Sequence, residues 1–201
     1  MKLKLIHILP VIALLFLDGS CKPEDEYNYL QSRELAIFDH GVGSWWEYQN
    51  DSTNIFDTIT LTQVWHDFSD ATDPGQKRRT FNEEIYLKSN SKYFAGNVFQ
   101  QIRNNGKCNS GYISFPGAEG ANHYIGYHDI DCNLPGVSVN FYDQLSINGN
   151  LYQDIFEITN NDFAAWGNDT AKFYFVENIG IVKWFLVNTD TCWSLSNYQI
   201  F

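Results

Sequence analysis

Positive charge is scarce in this chain. Among its 201 residues there are 13 Lys and Arg but 24 Asp and Glu, so the formal net charge is −11 at pH 7. An acidic surface repels nucleic acids and anionic lipid headgroups, because the summed charges set the potential that an approaching polyanion meets. The composition therefore argues against a nucleic-acid partner and against membrane binding through a basic patch.

The short motifs of several enzyme classes are also missing. The chain has no G-x-S-x-G nucleophile turn, no glycine-rich phosphate loop and no zinc-binding H-E-x-x-H. Adjacent acids such as Glu83 and Glu84 diverge on a strand, so they do not form the carboxylate pair of a glycosidase. We therefore predict no catalytic residue and no cofactor, and a hydrolase acting on envelope or extracellular glycans is the alternative.

Only one stretch is apolar enough to enter a membrane, and it is short. It follows two lysines and runs for 13 residues from Leu5 to Leu17, which as a helix would measure about 20 Å against the ~30 Å hydrocarbon core. A charged start and a short apolar run are typical of an export signal. We predict that residues 1–20 are a signal peptide, whose removal leaves 11 basic and 23 acidic residues and a charge of −12.

The apolar run ends in Gly19-Ser20-Cys21, which resembles the lipobox of bacterial lipoproteins. The resemblance implies that the Cys21 thiol is acylated, that the peptide before it is cut off and that the new amino terminus is acylated too. Several acyl chains give stable membrane attachment where one chain is marginal. The alternative is an ordinary signal peptide with a structural cysteine nearby.

Acidic residues follow this cysteine almost directly. Lys22, Glu24, Asp25 and Glu26 resemble the export signal that some Bacteroidota lipoproteins carry after the acylated cysteine. The resemblance implies an outer-membrane protein, lipid-anchored and exposed at the cell surface. The alternative is a solvated spacer, because like charges resist compaction; in both cases residues 21–36 are predicted to be an acidic, flexible tether.

The rest of the chain, residues 37–201, is predicted to be a single β-rich domain. The 12 Tyr, 15 Phe and 6 Trp favour strands, and short runs with period-two alternation are separated by turn residues. The clearest hairpin turns at Asn148-Gly149, because both residues tolerate the positive φ of a type I′ turn. About ten strands predict an all-β antiparallel fold, either a sandwich or a strongly curved, barrel-like sheet.

Two segments of this domain add a second resemblance. The early "GSWWEYQND" and the late "FYFVENIGIVKWFLVN" look like the opening and closing segments of a group of Bacteroidota lipoproteins of unassigned function. The resemblance implies a curved antiparallel sheet of the lipoprotein-carrier kind. A likeness of fold does not assign a function.

Metal-binding side chains are concentrated in "HYIGYHDIDCN", which contains His123, His128, Asp129, Asp131 and Cys132. This segment lacks the turn glycine and the closing glutamate of a calcium-binding loop. The chain also has no C-x₂-C spacing for zinc. We therefore predict no metal site and interpret the segment as a polar loop rim.

His40 and His66 each adjoin an aspartate, which is a weak catalytic signal because adjacent side chains project apart on an extended chain.

After Cys21, three cysteines remain. In an oxidising envelope two of them are expected to pair. Cys108 and Cys132 lie beside turns and bracket two predicted strands, which favours a disulfide between them; the competitor joins Cys132 to Cys192. In the favoured pairing Cys192, next to Trp193, is interpreted as buried core.

Trp45 and Trp46 are consecutive, so on a strand one of them must face away from the core. They are our candidate ligand contacts. We expect a non-catalytic, membrane-anchored envelope lipoprotein that binds a ligand or partner, either a glycan or an envelope protein. An exposed aromatic strip would favour this function, whereas a pocket that unites a histidine with two carboxylates would favour the hydrolase.

Overall fold

The computed structural model describes residues 24–91, 96–104, 109–116, 122–128, 136–163, 169–187 and 190–201. The elements, in chain order, are β1 (Glu26–Asn28), α1 (Ser32–Phe38), β2 (Trp45–Asn50), β3 (Phe56–Asp70), β4 (Thr80–Ser91), β5 (Gly96–Asn104), β6 (Asn109–Pro116), β7 (Asn122–His128), β8 (Val137–Ile147), β9 (Asn150–Phe163), β10 (Asp169–Val176), β11 (Gly180–Leu186) and β12 (Thr191–Gln199). No helix among these residues is long and apolar enough to cross a bilayer.

The strands form one sheet of twelve, built from two meanders. Strands β2 to β7 form the first meander, in which neighbours in the chain pair antiparallel. Strands β8 to β12 form the second in the same way. The pairing of β12 with β2 joins the two meanders. The short β1 runs parallel to the first residues of β4.

The sheet is curled: β7, at one end of the strand order, contacts β9, which is next to the strand at the other end. Large sheets curl because the twist between neighbouring strands accumulates. The predicted all-β fold is confirmed, and the curved, barrel-like alternative is the one that forms.

The inner face of the curled sheet forms the core. In β2 the buried residues alternate with half-buried ones, so that Trp46 and Tyr48 point inward. Trp184 of β11 and Trp193 of β12 lie directly opposite each other, and their rings stack with centroids 5.7 Å apart. Aromatic side chains bury large apolar areas, so these residues supply much of the packing that joins the two meanders.

The helix α1 packs on this inner face. Ile37 and Phe38 are buried, and the Phe38 ring lies 6.1 Å from that of Phe175 in β10. The backbone N–H of Asn178, in the β10–β11 turn, donates to the carbonyl of Ala36 (2.7 Å) and so ties the helix to the turn. Leu30, just before the helix, is also buried.

The beginning of the domain differs from the prediction. Residues 21–36 were expected to form a flexible tether, but β1 and most of α1 lie within them. The local charge pattern predicted solvation, whereas pairing with β4 and burial of Leu30 order the segment. Such contacts join positions more than fifty residues apart, which the local composition does not reveal.

Two further details correct the sequence interpretation. The strand β3 continues to Asp70, although the composition of residues 66–77, with Pro74-Gly75 and three aspartates, is typical of a loop. Strict alternation would place Asp57, Ile59, Leu61 and Gln63 on one face. The first three do share the buried face, but a register shift after Leu61 turns Gln63 to the exposed face. A bulge of this kind inserts one residue and reverses the alternation beyond it.

The hairpin turns agree with the prediction. Asn148 and Gly149 connect β8 to β9 with φ of 49° and 80°, the two positive values that a type I′ turn requires. Asn178 and Gly180, at the β10–β11 turn, also have positive φ, at 62° and 92°.

Replacing Trp193 with Ala should lower the free energy of unfolding by about 3–5 kcal/mol, because it removes a fully buried indole and leaves a cavity. The matched control is Trp65→Ala on β3. Trp65 is 41% exposed, so its replacement should lower the free energy of unfolding by about 1 kcal/mol or less. Urea unfolding measures both values. Equal losses in the two variants would contradict the placement of Trp193 in the core.

Candidate functional site

A pocket of about 570 Å³ lies at one end of the curled sheet. It is bounded by the start of β9, by the β10–β11 turn and by the end of β12. The lining residues are Asn150, Leu151, Tyr152, Gln153, Val176, Ile179, Ser196, Asn197 and Tyr198. Pockets for small molecules have volumes of about 300–1,000 Å³ and often occupy the mouths of curled sheets, so the size and place of this one suit a ligand.

Local irregularities in two strands shape the pocket. In β9, Asp154, which directly follows the lining residues, has a φ of 51°, a left-handed conformation that is uncommon for a residue other than glycine. In β12, the register against β2 shifts between Leu195 and Asn197, so that Ser196 is the extra residue. The Ser196 hydroxyl contacts Glu47 of β2: its oxygen lies 2.9 Å from the backbone carbonyl and 3.0 Å from a carboxylate oxygen, both of which can accept its proton. Bulges commonly redirect side chains at the rims of curled sheets.

The lining is polar but carries no charged group. It combines two tyrosines, three amide side chains, one serine and three aliphatic residues. Burial, followed by the proximity of Tyr198, raises the pKa of Tyr152, so its phenol is protonated at neutral pH. Amides and hydroxyls both donate and accept hydrogen bonds, and tyrosine rings offer a flat apolar face beside a polar tip. This chemistry suits an uncharged ligand with many hydroxyl groups.

A second cavity lies in the core but is much smaller, at about 20 Å³. His40 lines it together with Trp46, Tyr48 and Gly180, and the His40 Nε2 is buried without a hydrogen-bond partner. Desolvation lowers the pKa of His40, so the imidazole is neutral. A cavity of this volume admits about one water molecule, which makes it too small for a substrate.

The outer face carries a buried carboxylate on β9, that of Glu157, which is 2% exposed. Side chains from β8, β9 and β10 contact it: Asn140 (3.2 Å), Tyr142 (3.0 Å), Thr159 (2.9 Å) and Lys172 (3.5 Å). Burial alone would raise the pKa of Glu157, but hydrogen bonds from Tyr174, Thr159 and Tyr142 and the charge of Lys172 lower it below its ordinary value of 4.5. The carboxylate is therefore held as an ion by its neighbours, which is a structural role.

The candidate contacts Trp45 and Trp46 do face opposite sides, as expected. Trp46 is buried, and its indole N–H donates to the carbonyl of Ile179 (2.6 Å). Trp45 is half-buried on the outer side of β2. Neither residue lines the large pocket, although Trp46 pairs in register with Tyr198, which does.

The two histidines next to aspartates have different surroundings. His66 Nε2 lies 3.1 Å from an Asp39 carboxylate oxygen at the surface, while His40 faces the core cavity. Among the residues that the structure describes, no three His, Cys, Asp or Glu side chains are grouped to hold a metal ion. Residues 129–133 of the predicted polar rim, with Asp129, Asp131 and Cys132, lie outside the described residues.

The cysteine predictions have different outcomes. Cys108 and Cys132 lie outside the described residues, so their disulfide stays a prediction. Cys192 is free and half-buried, which differs both from the competing pairing with Cys132 and from the core position expected for it. It faces the side of β12 opposite to Trp193, and burial and a hydrogen bond with Asp51 raise its pKa to about 11.

Sequence reasoning missed the pocket residues. The hairpin that leads into β9 at Asn150 was predicted, but not that the start of β9 meets Tyr198 near the end of β12. The signal that was present is compositional: "NLYQ" and "SNY" each place an amide next to a tyrosine beside a turn or chain end.

No family model, curated protein or solved structure matches this chain. The interpretation of the pocket therefore depends on its own geometry and chemistry.

Replacing Glu157 with Gln should lower the free energy of unfolding at pH 7 by about 1–3 kcal/mol, since a buried group loses charge-assisted hydrogen bonds. The pKa of Glu157 is lowered by folding, so the ionised side chain stabilises the protein above pH 4.5, and this contribution disappears as the pH falls through the folded-state pKa. The difference in the free energy of unfolding between parent and variant should therefore become smaller in acid.

Urea unfolding between pH 7 and pH 3 measures this difference. Glu177→Gln, at an exposed position in the β10–β11 turn, is the control and should leave the pH dependence unchanged. If the free energies of unfolding of the parent and of Glu157→Gln differ by the same amount at every pH, the stabilising role of the charge is contradicted.

Proposed function

We propose that this protein is an outer-membrane lipoprotein, anchored through acyl chains on Cys21, whose β domain binds a neutral glycan without transforming it. The observation that carries the binding function is the pocket of about 570 Å³ lined by tyrosines, amides and a serine but by no charged side chain. The acids Glu24, Asp25 and Glu26 are proposed to direct the anchored protein to the cell surface.

The lining supports a carbohydrate ligand for two reasons. Sugar hydroxyls require groups that both donate and accept hydrogen bonds, and Asn150, Gln153 and Asn197 provide them. The apolar C–H face of a sugar ring requires a flat apolar surface, and Tyr198, which is 41% exposed, offers one. A charged ligand would find no opposite charge in this lining.

The same lining gives the hydrolase no support. Hydrolysis of a glycosidic bond uses two carboxyl groups on either side of the bond. The nine lining residues include no carboxylate and no imidazole. Glu157 is engaged by its neighbours on the outer face, and the carboxylate of Glu84 is buried beside the Tyr86 hydroxyl and Gln101.

Replacing Tyr198 with Ala should weaken binding of a neutral oligosaccharide about 10- to 100-fold, the usual cost of removing an aromatic anchor from a binding site. Titration calorimetry with maltohexaose and cellohexaose as neutral probes, and with an oligogalacturonate as the charged probe, measures the affinities. The control is Phe141→Ala, an exposed ring on β8 outside the pocket, which should bind like the parent.

The result that supports the proposal is binding of at least one neutral probe that Tyr198→Ala weakens and Phe141→Ala does not. Preference for the charged probe would contradict an uncharged ligand. Release of shorter products from any probe would replace binding with hydrolysis as the function.

Replacing Cys21 with Ala should abolish incorporation of radioactive palmitate into the protein, because the thiol is the acceptor of the acyl group. The parent should be labelled and should fractionate with the outer membrane. Labelling that persists in the variant would remove the anchor from the proposed function.

A further inference from the structure

The geometry points to a second functional surface, which seats the domain on the lipid bilayer. It consists of Tyr27, Tyr29, Phe68 and Phe81, called here the aromatic cluster, and we infer that it lies against the headgroups of zwitterionic phospholipids. This inference depends on the proposed anchoring at Cys21, but it is independent of the glycan pocket.

The aromatic cluster is a preformed surface. The Tyr27 and Phe81 rings stack with centroids 5.1 Å apart, and Phe68 meets Tyr27 and Tyr29 edge-on at 5.5 and 5.7 Å. The register places Tyr27 opposite Phe81 across the β1–β4 pairing. The rings are thus held by the sheet and by each other, so binding to a surface would cost little conformational entropy.

The aromatic cluster is also open to solvent. Tyr29 is 61% exposed, Tyr27 47% and Phe68 37%. Neighbouring exposed rings are uncommon on a soluble surface and usually mark an interaction site. Aromatic side chains with a polar tip concentrate at membrane interfaces, where one end of the ring is apolar and the other is wet.

The position of the chain start identifies the bilayer as the occupant. The backbone N–H of Glu26 donates to the carbonyl of Arg79 (2.7 Å), and the Arg79 guanidinium lies over the Phe81 ring, with its central carbon 4.7 Å from the ring centroid. The segment that leads to Cys21 therefore leaves the domain beside the aromatic cluster. Only Lys22 and Pro23 lie between Cys21 and Glu24. Three residue steps of at most about 3.6 Å each place the acylated cysteine within roughly 11 Å of Glu24.

Charge at the edge of the aromatic cluster favours zwitterionic lipid. Arg79 pairs with Asp70 at 2.8 Å, and Arg78 lies 3.7 Å from a carboxylate oxygen of Glu26. These pairs leave no excess of positive charge at the surface, and the exposed Glu24 and Asp25 add negative charge. Anionic headgroups would therefore be repelled, while headgroups without net charge would not.

The exposed segment before β4 provides a way to test docking. Lys77, Arg78 and Arg79 are exposed trypsin sites next to the aromatic cluster, so a bilayer seated on the cluster should shield them. The full-length lipidated protein is added to preformed phosphatidylcholine vesicles, and mass spectrometry follows the peptides that end at these residues.

Tyr29→Ser with Phe68→Ser should speed this cleavage about tenfold on vesicles, because losing the burial of one ring already shifts the docking equilibrium by roughly that factor. The matched control is Trp65→Ser, which removes an exposed ring from the opposite face of the same strand and should leave the rate unchanged. A second variant keeps every ring and inserts a spacer of about ten Gly and Ser residues after Lys22. It should also speed cleavage, since the domain can then move away from the surface.

Each outcome decides between supporting and overturning the inference. Slow cleavage of the parent and of Trp65→Ser, with fast cleavage of the ring and spacer variants, supports docking. If all four proteins are cleaved at equal rates, docking is overturned. If they still incorporate palmitate, the proposed anchor is unaffected by that result. Protection that appears only at high protein density on the vesicles shows that a second copy covers the cluster, and loss of palmitate labelling removes anchor and docking together.

Discussion

The architecture depends on the pairing of β2 with β12. This pairing joins the first strand of one meander to the last strand of the other, over partners such as Tyr48 with Leu195. Without it, the two meanders would expose the edges of β2 and β12 and separate the tryptophans of β11 and β12 from the aromatic residues of β2. Edge strands with unpaired backbone groups are prone to aggregation, so this contact also protects the sheet.

The curl that follows from this pairing decides where a ligand can bind. Aromatic side chains and α1 fill the concave face, and the cavity that remains there has a volume of only about 20 Å³. The pocket of about 570 Å³ lies instead at the end of the sheet, where the positive φ of Asp154 in β9 and the register shift in β12 interrupt the regular strand geometry. The core therefore stabilises the fold, and the proposed binding site lies at the rim, since functional residues often lie outside the packed scaffold.

The two proposed surfaces are built from different parts of the fold. The pocket is formed by the end of β12 and the start of β9, whereas the aromatic cluster is formed by β1, β3 and β4. An anchored protein needs one surface toward the membrane and another toward its ligand. The cluster lies close in sequence to Cys21, and the pocket is lined entirely by residues of the second meander.

The sequence by itself determined the properties that depend on local patterns: an all-β domain, the Asn148-Gly149 turn, and the inward and outward alternation of Trp45 and Trp46. These depend on backbone preferences and period-two spacing within a few residues. Only the tertiary structure decided that residues 24–36 join the domain, that β3 reverses its faces after Leu61, and that Tyr152 meets Tyr198. The physical reason is that each depends on contacts between strands far apart in the chain, whose register the local pattern does not specify.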